Sequence, residues 1–98
     1  MIYFTRSADI KSGKLKEAFE YAVKIATYVN EKHGTNFKVL RNVGGVGQQV
    51  HWLATYDSLA TYEAASARIF ADEGYHTVAA EANGLIENWE DNIFATLL

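Results

Sequence analysis

The sequence has no cysteine, no long apolar run and no pair of histidines at a metal-binding spacing. The lack of cysteine excludes disulfide bonds and thiol chemistry, which is compatible with a reducing cytosol. No apolar run approaches the roughly 18 residues that a transmembrane helix needs, and the first residues read as a strand rather than as a signal peptide. We therefore predict a soluble, cytoplasmic protein with no membrane, metal or cofactor requirement.

The chain is predicted to form one domain whose two halves carry opposite charge. Of its 98 residues 49% are hydrophobic, which suffices for one compact core over residues 1–98. Residues 1–50 carry a net charge of +4 and residues 51–98 a net charge of −7. This asymmetry reflects either solvated charges or an attraction between the halves, within one chain or across a dimer. Nucleic-acid binding is not expected, because the total charge is −3 and glutamates interrupt the lysines.

Apolar spacing predicts the strands and helices. Residues 13–33 carry apolar side chains three and four positions apart, which predicts a long helix with Ser12 as its cap and Gly34 as its stop. A second helix is predicted to start at Asp57 or Ser58 and to end near Gly74. Period-two alternation predicts strands, and a shorter periodic segment predicts a third helix; the strands are residues 2–7, 37–43, 48–56 and 89–98, and the short helix is 75–83.

The glycine-rich residues 44–47 are predicted to form the turn of a β-hairpin. A phosphate-binding loop would place its glycines between a strand and a helix, whereas here a strand follows. The segment is therefore not expected to bind a nucleotide.

The order strand, helix, strand, strand, helix, short helix, strand predicts a ferredoxin-like α+β fold, βαββα(α)β. We expect a four-stranded antiparallel sheet with its helices on one face. The other face then needs cover, and function is expected there.

Strand alternation divides the sheet residues into two sets. The more apolar set is predicted to face the helices and comprises Ile2, Phe4, Arg6, Phe37, Val39, Val50, Trp52 and Ala54. The more polar set is predicted to line the uncovered face and comprises Tyr3, Thr5, Ser7, Leu40, Asn42, Gln49, His51, Leu53 and Thr55. Alternation leaves open whether Arg6 and Arg41 lie on the helix-covered face or at its rim.

Three segments resemble NIPSNAP proteins, and with these motifs in order the resemblance extends over nearly the whole chain. Residues 6–14 resemble the family's arginine-bearing first strand and helix entry, although Ser12 stands where the family has proline. Residues 47–59 resemble its histidine-bearing strand and helix start, and residues 70–75 its acidic turn before an aromatic residue. The resemblance implies a dimeric α/β barrel, in which two such sheets pack face to face around a cavity. That superfamily includes monooxygenases, cyclases and isomerases, but NIPSNAP-like members have no settled reaction, so no catalytic residue is implied.

Candidate site residues come from the polar set and the arginines. His51 is either a general base in the barrel or a residue of its wall. As a wall residue it is expected to hydrogen-bond a hydroxyl of Tyr3, Thr5 or Thr55 or the amide of Asn42. Tyr3 and Asn42 can hydrogen-bond a phenolic or carbonyl ligand, and Arg6 or Arg41 can pair with a carboxylate at the rim. Thr5 and Leu53 complete the predicted lining, whereas Trp52 and Trp89 are predicted to be core or interface residues.

Three functions remain open at this point. The first is a homodimer that binds a small hydrophobic or aromatic molecule in the barrel. The second is a cofactor-independent monooxygenase or isomerase that uses His51 as its base. The third is a structural or interaction module whose barrel is filled by its own side chains.

Overall fold

A computed structural model describes residues 1–45 and 47–98 of the chain. The strands lie in the order β2-β3-β1-β4, and all neighbours are antiparallel. This confirms the predicted ferredoxin-like α+β fold with its helices on one face of the sheet. In chain order the elements are β1 (Ile2–Ile10), α1 (Leu15–His33), β2 (Lys38–Arg41), β3 (Gln49–Tyr56), α2 (Leu59–Phe70), α3 (Glu73–Ala79), a 3-10 turn (Ala80–Ala82) and β4 (Ile86–Ala95).

The core lies between helix α1 and the two central strands. Ala18, Ala22 and Ala26 follow one face of α1 and are buried, which lets the helix approach the sheet closely. On the sheet side, strand β3 alternates strictly between buried and half-buried residues, with Val50 and Trp52 pointing to the helices. The predicted division of the two sheet faces therefore holds along β3.

Helix termini agree with the sequence prediction at some ends and differ at others. Gly34 ends α1 in the left-handed conformation, with a φ of 68°, and its N–H donates to the Asn30 carbonyl. Ser58 caps α2 by accepting a hydrogen bond from the Thr61 N–H at 3.1 Å. The prediction for Ser12 was wrong, because α1 begins at Leu15 and no side chain caps it.

Two predicted boundaries near the C-terminal half were also wrong. Helix α2 ends at Phe70 rather than near Gly74, because the Asp72 side chain accepts from the Gly74 N–H and caps a separate helix, α3. Strand β4 begins at Ile86, three residues before the predicted start at Trp89. The predicted hairpin turn includes Val46, which lies outside the described residues.

The opposite charges of the two halves meet within the chain. Arg6 pairs with Asp91 and Lys24 pairs with Glu81, at 2.7 and 2.9 Å. Each pair joins the basic half to the acidic half. The structure therefore supports the interpretation that the asymmetry draws the halves together inside one chain. Among the residues described, no helix is both long and apolar enough to cross a bilayer.

A hydrogen-bonded cluster around Asp72 ties the end of α1 to the start of α3. The Asp72 carboxylate accepts from the Tyr28 hydroxyl at 2.8 Å and from the Gly74 N–H at 2.9 Å, and its Oδ2 lies 2.9 Å from His33 Nε2. Partial burial acts to raise the pKa of Asp72, but the hydrogen bonds from His33, Tyr28 and Gly74 outweigh it and lower the pKa to about 2. The cluster fixes α3 against α1.

We expect Asp72→Asn to destabilise the protein in a pH-dependent way. Because the pKa of Asp72 is lower in the folded than in the unfolded chain, its carboxylate contributes full stability above about pH 4 and loses this contribution as the pH falls towards 2. The melting temperature of the variant should therefore lie below that of the wild type at pH 7, and the difference should shrink at pH 2–3. Glu63→Gln, on the exposed side of α2, is the control. Equal melting temperatures at pH 7 would contradict this role of Asp72.

Candidate functional site: an aromatic cavity under the helices

A cavity lies between the helices and the sheet, on the face opposite to the one favoured by the sequence. It has a volume of about 650 Å³, which is within the range of small-molecule sites. Its lining residues come from strands β1, β3 and β4, from the three helices and from the segment before β2. They are Phe4, Arg6, Tyr21, Ile25, Ala26, Val29, Phe37, Trp52, Tyr56, Tyr62, Ser66, Ile69, Phe70, Tyr75, Ala79, Trp89 and Asp91.

Small residues on α1 and aromatic residues on the sheet create this space. Phe4 stands between two other rings: it stacks on Tyr62 at 5.6 Å and meets Phe37 edge-on at 6.1 Å. Ala26 on α1 offers only a methyl group towards the cavity. The aromatic rings keep the helix layer and the sheet apart at the place where the side chains of α1 do not fill the space between them.

Two tryptophans form a second wall. Trp52 donates its indole N–H to the Ala22 carbonyl of α1 at 3.1 Å, so its orientation is fixed. Trp89 stacks on Trp52 with ring centroids 5.8 Å apart and planes inclined by 15°. Trp52 is buried, as predicted, but both indoles also line the cavity.

An irregularity in β4 places Trp89 on this wall. Ser7 pairs with Glu90 and Asp9 pairs with Glu87, so β4 has one residue more than β1 between these pairs. Strict alternation would send Trp89 and Ile86, three positions apart, to opposite faces. The extra residue brings both to the helix side, where Ile86 is buried.

Asn88 stabilises the irregularity. It adopts a φ of 56°, a left-handed conformation that asparagine tolerates better than most residues. Its amide donates to Asp9, which also accepts from Gln49, each at 3.0 Å. The hydrogen bonds from Asn88 and then Gln49 lower the pKa of Asp9, so its carboxylate is a charged acceptor.

The polar end of the cavity is the pair formed by Arg6 and Asp91. The guanidinium donates through Nε and Nη2 to the two carboxylate oxygens, at 2.7 and 2.8 Å, in a bidentate arrangement. These hydrogen bonds from Arg6 to Asp91 raise the pKa of Arg6. The guanidinium also lies 5.8 Å from the ring centroids of Phe4 and Trp89. Both charged side chains are partly exposed, so the pair lies at the rim.

Two of the tyrosines that line the cavity, Tyr21 and Tyr56, ionise less readily than a free phenol. Burial raises the pKa of Tyr21 to about 12, and burial likewise raises the pKa of Tyr56. Both phenols therefore stay protonated at neutral pH. The Tyr21 hydroxyl lies 3.5 Å from the Ala79 carbonyl, which points it towards α3.

His51 lies on the opposite, uncovered face of the sheet. Its Nδ1 is 2.6 Å from the Ser7 hydroxyl and its Nε2 is 2.7 Å from the Asn42 amide oxygen. An amide oxygen can only accept, so Nε2 donates to Asn42, and the Ser7 hydroxyl, which can donate or accept, pairs with Nδ1. The sequence left two roles open for His51, a general base or a residue of the barrel wall. Because both ring nitrogens are hydrogen-bonded to protein groups, the structure favours the wall residue.

The structure separates the other predicted site residues. Tyr3, Thr5 and Leu53 share the uncovered face with His51, as alternation predicts, and Asn42 reaches that face through its hydrogen bond. Arg6 lies on the helix-covered face and lines the cavity. Arg41 pairs in register with Val50, at the exposed end of β2, and does not reach the cavity.

Sequence reasoning missed Tyr75, Asp91 and the ring cluster around Phe4. A signal was available for the cluster, since small residues on α1 oppose aromatic residues on the strands. No sequence pattern indicated Asp91, because its partner Arg6 is 85 residues away. Among the described residues, no group of three or more His, Cys, Asp or Glu side chains is placed to hold a metal ion.

Solved structures with this architecture define the class of the protein. An uncharacterised NIPSNAP domain protein from Burkholderia xenovorans has a TM-score of 0.84 at 16% identity, with 98% of this chain and 94% of that chain covered. A NIPSNAP family protein from Agrobacterium tumefaciens has a TM-score of 0.81 at 20% identity, over 96% and 90% of the two chains. SnoaB, a cofactor-independent oxygenase from Streptomyces nogalater, has a TM-score of 0.72 at 16% identity, over 99% and 93%. The class is thus the ferredoxin-like α+β fold of these proteins.

The family follows from the sequence itself. The NIPSNAP family model matches residues 3–97, nearly the whole chain. The protein belongs to the NIPSNAP family. No curated protein matches it, so the comparisons assign neither a ligand nor a reaction.

We expect the conformation of Asn88 to control the stacking of the two tryptophans. Two indoles stacked at this distance couple electronically, and a skew between their transition dipoles within the two ring planes should give an exciton couplet in the far-ultraviolet circular dichroism spectrum. Asn88→Gly should retain the couplet, because glycine reaches the left-handed region freely. Asn88→Val should lose it, because a β-branched residue does not. Trp89→Phe identifies the signal, and a couplet of full strength in Asn88→Val would disprove the assignment.

Proposed function

We propose that this NIPSNAP protein binds a small hydrophobic or aromatic molecule in the cavity under its helices. The observation that carries the proposal is the cavity itself, about 650 Å³ with nine aromatic lining residues and one ion pair at its rim. Apolar walls with a few convergent polar groups are typical of ligand sites. A structural module whose interior was filled by its own side chains would lack such a cavity.

Turnover of the ligand has less support than binding. The predicted base, His51, lies on the other face of the sheet and is bonded at both ring nitrogens. Asp91 is the carboxylate that lines the cavity among the described residues, and it is already paired with Arg6. A monooxygenase or isomerase that uses His51 would need a second site on the uncovered face.

We expect Ser66→Phe to weaken binding by occupying part of the cavity. Ser66 lies on α2, lines the cavity and is half-buried, so a ring there occupies the ligand's volume while the walls stay in place. Calorimetric titration with 2-naphthol should show affinity at least about tenfold weaker than in the wild type.

The control for this experiment lies on the same helix. Ala64→Phe adds the same ring to α2 at an exposed position and should leave affinity unchanged. Melting temperatures of both variants verify folding. If folded Ser66→Phe bound 2-naphthol as tightly as the wild type, the ligand would not occupy this cavity.

We further propose that two copies pair through the uncovered face of the sheet. Three large side chains on that face are exposed in the single chain: Tyr3 by 37%, Leu40 by 43% and Phe94 by 52%. Such a patch favours association. His51, which lies between them, already bonds Ser7 and Asn42, so its two ring nitrogens stay paired when the face is buried in an interface.

We expect Leu53→Arg to convert a dimer into a monomer. Leu53 lies in the middle of the uncovered face, opposite Thr5 and Lys38, and an arginine there would bring two like charges into the interface. Sedimentation equilibrium at micromolar concentration measures the change. Leu59→Arg, at an exposed position on α2, should remain a dimer. A wild type that sediments as a monomer would refute the pairing.

A further inference from the structure

We propose that the cavity under the helices selects uncharged aromatic molecules that carry a hydroxyl or carbonyl oxygen, and that Asp91 is the residue that excludes carboxylates. The inference rests on the proposed function, because it names the ligand class for the same cavity. It adds a charge selectivity and assigns it to one side chain.

The charges of the cavity cancel before a ligand arrives. Arg6 and Asp91 are its charged lining residues among those described, and they form a bidentate pair at 2.7 and 2.8 Å. The pair uses two of the five N–H groups of the guanidinium. A ligand oxygen without charge can accept from the remaining N–H groups and leaves the site neutral.

Asp91 opposes an anionic ligand. Any carboxylate that accepts a hydrogen bond from Arg6 comes within a few ångströms of the Asp91 carboxylate, because Arg6 holds Asp91 directly against its own nitrogens. The rings of Phe4 and Trp89 flank the guanidinium, and at such a rim the repulsion between like charges is screened less than in open water. A ligand hydroxyl meets no such repulsion and can donate to Asp91.

The walls add a requirement for a flat ring. Trp52 and Trp89 lie nearly parallel, at 15°, and present an aromatic surface beside Arg6. A planar ligand can contact this wall and place an oxygen at the ion pair together. The phenols of Tyr21 and Tyr56 stay protonated, because burial raises the pKa of each, and so they add no negative charge.

Three naphthalene probes of nearly equal size test the selectivity: 2-naphthol and 2-acetylnaphthalene, which are neutral at pH 7, and 2-naphthoate, which is an anion. In calorimetric titrations of the full chain, both neutral probes should bind at least about tenfold tighter than naphthoate. Asp91→Asn keeps the shape of the side chain and removes its charge. Naphthoate should then bind at least about tenfold tighter than it binds the wild type, while 2-naphthol changes little.

Two further variants keep the test decisive. Glu90→Gln removes the neighbouring carboxylate, which lies on the other face of the sheet opposite Ser7, and should leave the ratio of affinities unchanged. Arg6→Met leaves Asp91 as the single charge and should weaken naphthoate further, which provides a readout if Asp91→Asn does not fold. If naphthoate bound the wild type as tightly as naphthol, the charge selectivity would be overturned and the proposed function would stand. If no probe bound the wild type, the proposed function would fail and the inference with it.

Discussion

The contact on which the rest of the structure depends is the one between Trp52 and helix α1. The indole donates to the Ala22 carbonyl in the middle of the helix and is covered by Tyr21 edge-on. Its burial removes a large apolar area from water, and its single donor is satisfied by the helix backbone. Because Trp52 is the inward residue at the centre of β3, it fixes the height of α1 above the sheet. The cavity is the space that remains beside this contact.

The sheet could be predicted from the sequence because its alternation is strong, whereas the cavity could not. Period two placed Trp52 and Ala54 on one face and His51 and Leu53 on the other, and the structure agrees. Strand β4 broke the rule through one extra residue at Asn88. Residues 87–92 are polar apart from Trp89, so alternation gave no signal for a strand before that tryptophan and the predicted strand began too late.

Strand alternation predicts the sheet face on which His51 lies but not its hydrogen-bond partners. The sequence predicted its face and offered hydroxyls and the Asn42 amide as partners. Asn42 is a partner, but the hydroxyl comes from Ser7, which lies directly opposite His51 in the register of β1 and β3. Register depends on turn geometry and on long-range pairing, and neither can be deduced from the sequence of one strand. The choice between base and wall residue was therefore beyond the sequence.

Residues that serve the two faces of the sheet alternate along one strand. Phe4, Arg6 and Ala8 of β1 point to the cavity and the core, whereas Tyr3, Thr5 and Ser7 point to the uncovered face. A slip of β1 by one residue would exchange both sets at once, so the cavity and the uncovered face depend on the same register. The pair between Arg6 and Asp91 opposes a change of register between β1 and β4. The hydrogen bond between Ser7 and His51 opposes a change of register between β1 and β3. The polar groups of both faces thus hold the alignment that the apolar residues need.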